Sequence, residues 1–285
     1  MTLRCPTYDQ GSRLRGHQPK PFQSLRNVDA SSSLPESSWR VESVLSGLHR
    51  APGFRSQPDP SLFVGDPISF DHTKVQAAIV DLDGTMVDTV GDFEQALART
   101  LAEFGLPPVD RAFITRTVGR GSMNLLRETL AHAGGAPGLL DDAWAHYQRH
   151  YADVNGTHAD VYPGVAEGLA AMRARGWQLA CVTNKPRAFA VALLEAKGLL
   201  PFFAQVFGGD SFERHKPDPL PLLKTCEALG THPAQTLMVG DSRNDAEAAR
   251  AAGCPVVLVS YGYNHGEPVA DARPDRVIAG LDVLA

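Results

Sequence analysis

The sequence predicts a doubly wound, Rossmann-like parallel α/β sheet carrying an inserted α-helical cap, and three observations lead there. Short apolar runs over 75–82, 178–184, 204–208, 236–241 and 255–260 have the length and continuous hydrophobicity of buried strands. They are separated mainly by helical patterns over 163–175, 187–197, 219–229 and 243–252, and such alternation gives a parallel sheet with helices on its faces. Between Thr89 and Asp160 the pattern instead runs helix after helix, over 91–105, 110–117, 121–133 and 139–152.

Taken from the N-terminus, residues 1–73 are rich in Ser, Pro, Arg and Gln, include the run Ser31-Ser32-Ser33, and lack a periodic apolar pattern. Such a composition buries too little apolar surface to offset chain entropy, so the segment is expected to be disordered. Val41, Val44, Leu45 and Leu48 fall at helical spacing and predict a short helix within 39–49. The Arg- and Ser-rich start has something of an organelle transit segment, but Asp9, Asp29, Glu36 and Glu42 weigh against it. The expected organisation is an N-terminal extension over 1–73, an α/β core over 74–90 and 160–285, and a helical cap over 91–159.

The first strand ends in Asp81-Leu82-Asp83-Gly84-Thr85. Residues two apart on a strand share a face, so both carboxylates should arrive together where the chain turns at Gly84. Acids that close repel unless a cation or a shared proton relieves them. The physical expectation is a Mg²⁺ site with one carboxylate as nucleophile and the other as proton donor. An Asp-Gly turn with solvated acids is the plain alternative, and the rest of the chain decides between them.

Three later segments, each ending an apolar run or opening a helix, supply further parts. Thr183-Asn184-Lys185 brings a hydroxyl and backbone N–H groups suited to phosphoryl oxygens. Lys216 stands just before Pro217, which can open a helix, and would neutralise charge on a transferring group. Gly240-Asp241-Ser242-Arg243-Asn244-Asp245 ends another strand in two acids, with Gly240 allowing close backbone approach. Singly these read as a helix cap, a surface lysine, and an N-cap with a first-turn acid; jointly and in this order they point to phosphoryl transfer.

In that order the four segments resemble the signature motifs of the haloacid dehalogenase superfamily, over roughly residues 75–285. Val161-Tyr162-Pro163-Gly164-Val165, Val182-Thr183-Asn184-Lys185-Pro186, Gly208-Gly209-Asp210 and Tyr261-to-Pro268 are, with the Gly240–Asp245 segment, similar to bacterial phosphoglycolate phosphatases. The Tyr261-to-Pro268 segment has no obvious catalytic chemistry. The resemblance implies a Mg²⁺-dependent phosphatase acting through an aspartyl-phosphate on 2-phosphoglycolate; a phosphatase or phosphomutase for another small phosphate ester is the alternative. It implies Asp81 as nucleophile, Asp83 as acid and base, Thr183 and Lys216 on the phosphoryl oxygens, and Asp245 as a support for metal-bound water or Lys216. Mg²⁺ would be held by Asp81, the backbone carbonyl of Asp83 and Asp241, and Thr85, Asn184 and Arg120 are the expected substrate contacts. Arg120 is singled out because Gly119-Arg120-Gly121-Ser122 lies between two cap helices, where an arginine and backbone N–H groups suit a small carboxylate.

Composition excludes other classes. A formal charge of −5 over 285 residues gives no nucleic-acid surface. No apolar run approaches the roughly 18–20 residues of a spanning helix, and the first thirty residues lack a secretory apolar stretch. Cys5, Cys181, Cys226 and Cys254 have no paired spacing, so a reduced cytoplasmic protein, monomer or homodimer, is expected. His146 and His150 sit four apart on a helical pattern and read as surface residues rather than a metal pair. A signalling receiver module would share the acids, Thr and Lys, but the Asp-x-Asp pattern on the first strand and the helical insertion oppose it.

Overall fold

The computed structural model of the protein describes residues 74–284. The disorder expected for 1–73 and the helix expected near Trp39 lie outside the described residues. Six strands form one sheet: β1 (Ala77–Val80), β4 (Gln178–Val182), β5 (Gln205–Phe207), β6 (Thr236–Gly240), β7 (Val256–Val259) and β8 (Arg276–Ile278). Their order is β5-β4-β1-β6-β7-β8, and every neighbouring pair is parallel. The connections are the helices α5 (Val165–Ala174), α6 (Arg187–Ala196), α7 (Leu220–Leu229) and α8 (Arg243–Ala252).

Strand residues alternate between two apolar layers because successive side chains point to opposite faces. Val80, Cys181 and Val239 join Leu169 of α5 and Leu193 of α6 on one side. Ile79, Met238 and Leu258 join Leu222 of α7 and Ala249 of α8 on the other. β1 is buried along its whole length, as a strand covered on both faces must be. From β1 the chain fills one side with β4 and β5 and then crosses to β6, so the crevice at the carboxyl end of β1 is the switch point where ligands of such sheets bind.

Helices α1 (Val90–Glu103), α2 (Arg111–Thr117), α3 (Ser122–His132) and α4 (Leu140–Val154) follow the first strand. Phe93, Leu97 and Leu101 recur at helical spacing on α1 and meet Leu126, Tyr147 and Tyr151 in a core of their own. Glu103 accepts hydrogen bonds from His150 at 2.8 Å and Arg149 at 2.9 Å and also meets His146, tying α1 to α4. The two histidines therefore serve an ion-pair cluster. Two features were not expected from sequence. β2 (Val87–Asp88) and β3 (Asp160–Val161) form an antiparallel ribbon at the two ends of the helical insertion, and β8 extends the sheet edge. Both are only two or three residues long, too short to carry a period.

Ile79 is fully buried at the centre of the sheet. Ile79→Ala is expected to cost about 2–5 kcal/mol, read as a lowered urea midpoint at unchanged slope; a loss under about 1 kcal/mol would mean that the core around β1 collapses to fill the space.

Candidate active site

The parallel register decides which residues meet. Val80 lies opposite Cys181 on one side and Val239 on the other, so the residues just beyond, Asp81, Thr183 and Asp241, leave the sheet edge side by side. The Asp81 amide still donates to Val239 O at 2.9 Å. The chain then turns sharply at Gly84, whose φ is +84°. A Cβ there would stand 2.5 Å from Asp241 Oδ2, so the turn requires both the left-handed conformation and the missing side chain. Because β1 ends at Val80, Asp81 and Asp83 line one cavity but take different partners.

Asp81 faces a lysine. Lys216 Nζ lies 2.8 Å from Asp81 Oδ1 and 2.7 Å from Asp245 Oδ1, and it donates to Val182 O at 2.7 Å. The Asp81 contact is close but poorly aligned for a hydrogen bond, so charge attraction dominates it. Burial works against the Lys216 ammonium, but Asp245 and Asp81 outweigh it and hold its pKa above the ordinary value. Burial pushes the Asp81 carboxyl up to about 7 despite the Lys216 charge, with Asp245 and Asp83 adding to the rise. Asp241 is raised well above the usual carboxylate range by burial and by Asp245 and Asp81.

Asp245 has two tasks. Its Oδ2 accepts from the amides of Asp241 and Ser242 and from Ser242 Oγ, at 3.2, 3.1 and 2.9 Å, which caps α8. Its Oδ1 holds Lys216. A Cβ on Gly240 would stand 2.4 Å from Asp245 Cγ, so the close approach expected at that glycine is real. Asp241 is braced from two sides, by Thr85 Oγ1 at 3.2 Å and the Tyr263 amide at 2.6 Å.

Asp83 belongs to another group. Its Oδ1 accepts from Thr89 Oγ1 at 2.8 Å and from Lys185 Nζ at 2.7 Å. Thr183 Oγ1 accepts from the Lys185 amide at 3.2 Å, which leaves its own O–H to donate into the cavity. Asn184 is structural in this arrangement: its side chain exchanges hydrogen bonds with the Lys216 backbone and donates to Gly119 O at 2.8 Å. That last bond joins the sheet edge to the helical insertion, and Asn244 Nδ2 reaches the same carbonyl at 3.0 Å.

The insertion supplies the far wall of the cavity through Phe93, Val118, Ser122 and Leu125. Arg120 is not part of that wall. It is exposed and lines a neighbouring cleft with Arg127, His215 and Arg243. The cause is the pinned carbonyl of Gly119, which turns the loop's backbone inward and the Arg120 side chain outward. Sequence reasoning also passed over Lys185, Thr89 and Tyr263. Lys185 stood beside the singled-out Thr183 with nothing in its spacing to mark it. The Tyr261-to-Pro268 segment turns out to brace the site: Tyr263 Oη accepts from the Thr89 amide at 2.8 Å and donates to Asp88, and Tyr261 Oη donates to Thr85 O at 2.8 Å.

Asp81, Asp241 and Asp245 bring ligand oxygens within 4.8 Å of one another, the one such group of potential metal ligands among the described residues. Three buried acids face one lysine, and Asp81 Oδ1 lacks a directed donor. That clustering of carboxylates around one ammonium fits a hard divalent cation.

Residues 78–259 match the family model of haloacid dehalogenase-like hydrolases. A phosphoglycolate phosphatase of Thiobacillus denitrificans is 42% identical over 210 residues, covering 73% of this chain and 92% of its own. A plasmid-borne phosphoglycolate phosphatase of Cupriavidus necator is 46% identical over 209 residues, covering 73% and 90%. The crystal structure of a predicted phosphoglycolate phosphatase from Haemophilus somnus superposes with a TM-score of 0.68 at 32% identity, over 73% of this chain and 96% of that one.

An acid whose folded pKa is raised stabilises the fold below its unfolded pKa, and that contribution is lost as pH climbs through the folded value. For Asp81 the loss runs from the usual carboxylate range up through about 7. In chelator, the thermal midpoint is expected to fall between about pH 5 and 8. Asp81→Asn, with no charge to bury, should fall less, by at least about 5 °C. Parallel profiles in scanning calorimetry would remove Asp81 from the account.

Proposed function

Since the chain belongs to the haloacid dehalogenase-like hydrolases, we propose that it is a Mg²⁺-dependent phosphatase hydrolysing 2-phosphoglycolate to glycolate and phosphate through an aspartyl-phosphate on Asp81. The observation that carries this reading is the division of labour between two acids on one turn. Asp81 contacts Lys216 and belongs to the cation-fitting group; Asp83 belongs to Lys185 and Thr89. One environment suits attack, the other suits proton transfer. The relatives named phosphoglycolate phosphatases support the choice of substrate.

In this mechanism Asp81 attacks phosphorus in line with the departing oxygen. Lys216 offsets charge on Asp81 and on the phosphoryl oxygens, and Thr183 donates its free O–H to one of them. Asp83 protonates the leaving glycolate oxygen, then takes a proton from the water that cleaves the aspartyl-phosphate. Asp81, Asp241 and the backbone carbonyl of Asp83 would hold Mg²⁺, which supplies positive charge opposite the phosphoryl oxygens. Asp245 keeps Lys216 in place, and Thr85 does the same for Asp241. Most of the rate acceleration is then positioning and charge compensation.

Residues 91–159 act as the cap that closes over the site and excludes water. Phe93, Val118 and Leu125 give it an apolar ceiling. The substrate carboxylate is met by Ser122 and the first N–H groups of α3, with Arg120 at the outer rim. A hexose ring would have to displace that ceiling. The buried free thiols of Cys181, Cys226 and Cys254 suit a reducing cytoplasm.

Three measurements test this reading. Mixing with substrate, acid quench and peptide mass spectrometry should find the phosphoryl group on the peptide containing Asp81; a phosphorylated Ser or His peptide overturns the nucleophile. Mg²⁺ should raise the thermal midpoint of the wild type and not of Asp241→Asn, and a chelator should abolish turnover. Across substrates, kcat/KM should favour 2-phosphoglycolate over hexose phosphates. Ser122→Ala should cost about 0.5–1.5 kcal/mol of it, the scale of one hydrogen bond, and Arg120→Ala less; the reverse order would give the carboxylate to Arg120.

A further inference from the structure

We propose that Lys185 is a positioning residue that aims Asp83 for proton transfer and makes that aim depend on the closed helical insertion. The proposal rests on reading Asp83 as the acid and base of the reaction. Lys185 follows Asn184 at the end of β4, and its side chain is 1% exposed. Among the described residues its ammonium pairs with one carboxylate, Asp83 Oδ1 at 2.7 Å. It also lies under two ring faces: Nζ is 4.6 Å from the centroid of Phe93 and 4.9 Å from that of Tyr151.

Those rings come from the insertion, Phe93 from α1 and Tyr151 from α4, and stack on each other at 5.3 Å. A lysine removed from water needs its charge compensated on every side. Here the sheet side provides a carboxylate, and the insertion provides the negative faces of two rings, worth more when desolvated than at a surface. Withdrawing the insertion would strip the rings away and let water reach the ammonium. The lysine would then no longer hold Asp83 in a fixed direction.

The direction matters because both donors to Asp83 use one oxygen. Thr89 Oγ1 and Lys185 Nζ converge on Oδ1, while Oδ2 accepts no protein hydrogen bond among the described residues and belongs to a side chain lining the cavity. Two donors on one oxygen fix the carboxyl plane and leave Oδ2 to carry the proton. As the bond from Asp81 to phosphorus forms and the bond to the leaving group breaks, that proton passes from Oδ2 to the departing oxygen. Removing one partner of a buried ion pair leaves the other charge uncompensated and destabilises the fold, so lost stability in Lys185→Met would not tell the two roles apart. A purely structural Lys185 would instead slow the reaction of every ester alike when replaced, without distinguishing leaving groups.

The experiment compares two esters. 2-Phosphoglycolate leaves as an alkoxide that needs a proton, whereas 4-nitrophenyl phosphate leaves as a stabilised phenolate that does not. Lys185→Met should lower the single-turnover rate of phosphoryl transfer from 2-phosphoglycolate to Asp81 by about 10- to 100-fold, part of the range general acid catalysis contributes. The loss in that same step on 4-nitrophenyl phosphate should stay below about 3-fold, while hydrolysis of the aspartyl-phosphate, common to both esters and also dependent on Asp83, should slow equally after either. Lys185→Arg, which keeps a cation beneath the rings, should restore most of the ratio between the esters. Phe93→Leu leaves the ion pair in place but removes a ring face, and it should shift the ratio in the same direction. Combined with Lys185→Met it should add no further shift, because both changes act through one contact. Asp83→Asn is the control for the underlying reading. If Asp83→Asn separates the two esters and Lys185→Met slows both equally, Lys185 is structural and the proposal is overturned. If Asp83→Asn itself fails to separate them, the acid assignment falls and the proposal with it.

Discussion

A surplus of buried negative charge organises this molecule. Asp81, Asp241 and Asp245 are nearly or wholly removed from solvent at one edge of a parallel sheet, against the single ammonium of Lys216. Water would ordinarily separate such groups, and a fold that forbids this must compensate by other means. The compensation is visible in detail: three donors on one oxygen of Asp245, two donors on Asp241, and a lysine held by a carbonyl and two carboxylates. What stays unbalanced is Asp81, raised to about 7 by burial. The sheet supplies rigidity, and the charge left over is what the proposed cation and phosphoryl chemistry would draw on.

The remaining architecture follows from keeping that edge intact while letting a substrate in. Asp81, Thr183 and Asp241 come from adjacent strands whose register is fixed by the ladder, so their spacing cannot drift. The helical insertion has its own apolar core and meets that edge at identifiable points. The Gly119 carbonyl, held by Asn184 and Asn244, is one of them. The ring faces above Lys185 are another. A rigid edge and a separately packed helical insertion can vary independently, which suits a fold that serves many functions.

Much of this was legible in the sequence, for identifiable reasons. Strands buried on both faces leave continuous apolar runs, and β1, β4, β5, β6 and β7 each fell within a predicted run. The acids after β1 and β6 and the threonine after β4 were readable because strand ends mark the binding edge of a parallel sheet. The illegible parts depend on distances that sequence does not encode. Lys185 looks like any lysine until α1 and α4 fold two rings over it. Arg120, read as a substrate contact because glycines flank it, lines the neighbouring cleft rather than the cavity that holds Asp81. The ribbon of β2 and β3 is too short to leave a pattern. The Tyr261-to-Pro268 segment showed no chemistry because its work is done by a backbone amide and two phenol oxygens reaching across the fold.

Asp245 belongs both to a helix and to the acidic cluster around Lys216, one oxygen completing the cap of α8 and the other anchoring that lysine. Secondary structure and chemistry here draw on one side chain. The lysine therefore cannot be tuned by adjusting its anchor without fraying the first turn of α8, and the helix cannot exchange its cap for a neutral one without releasing the lysine. Such sharing narrows the paths along which the sequence can change. A substitution at this one position would disturb the helix start and the lysine together.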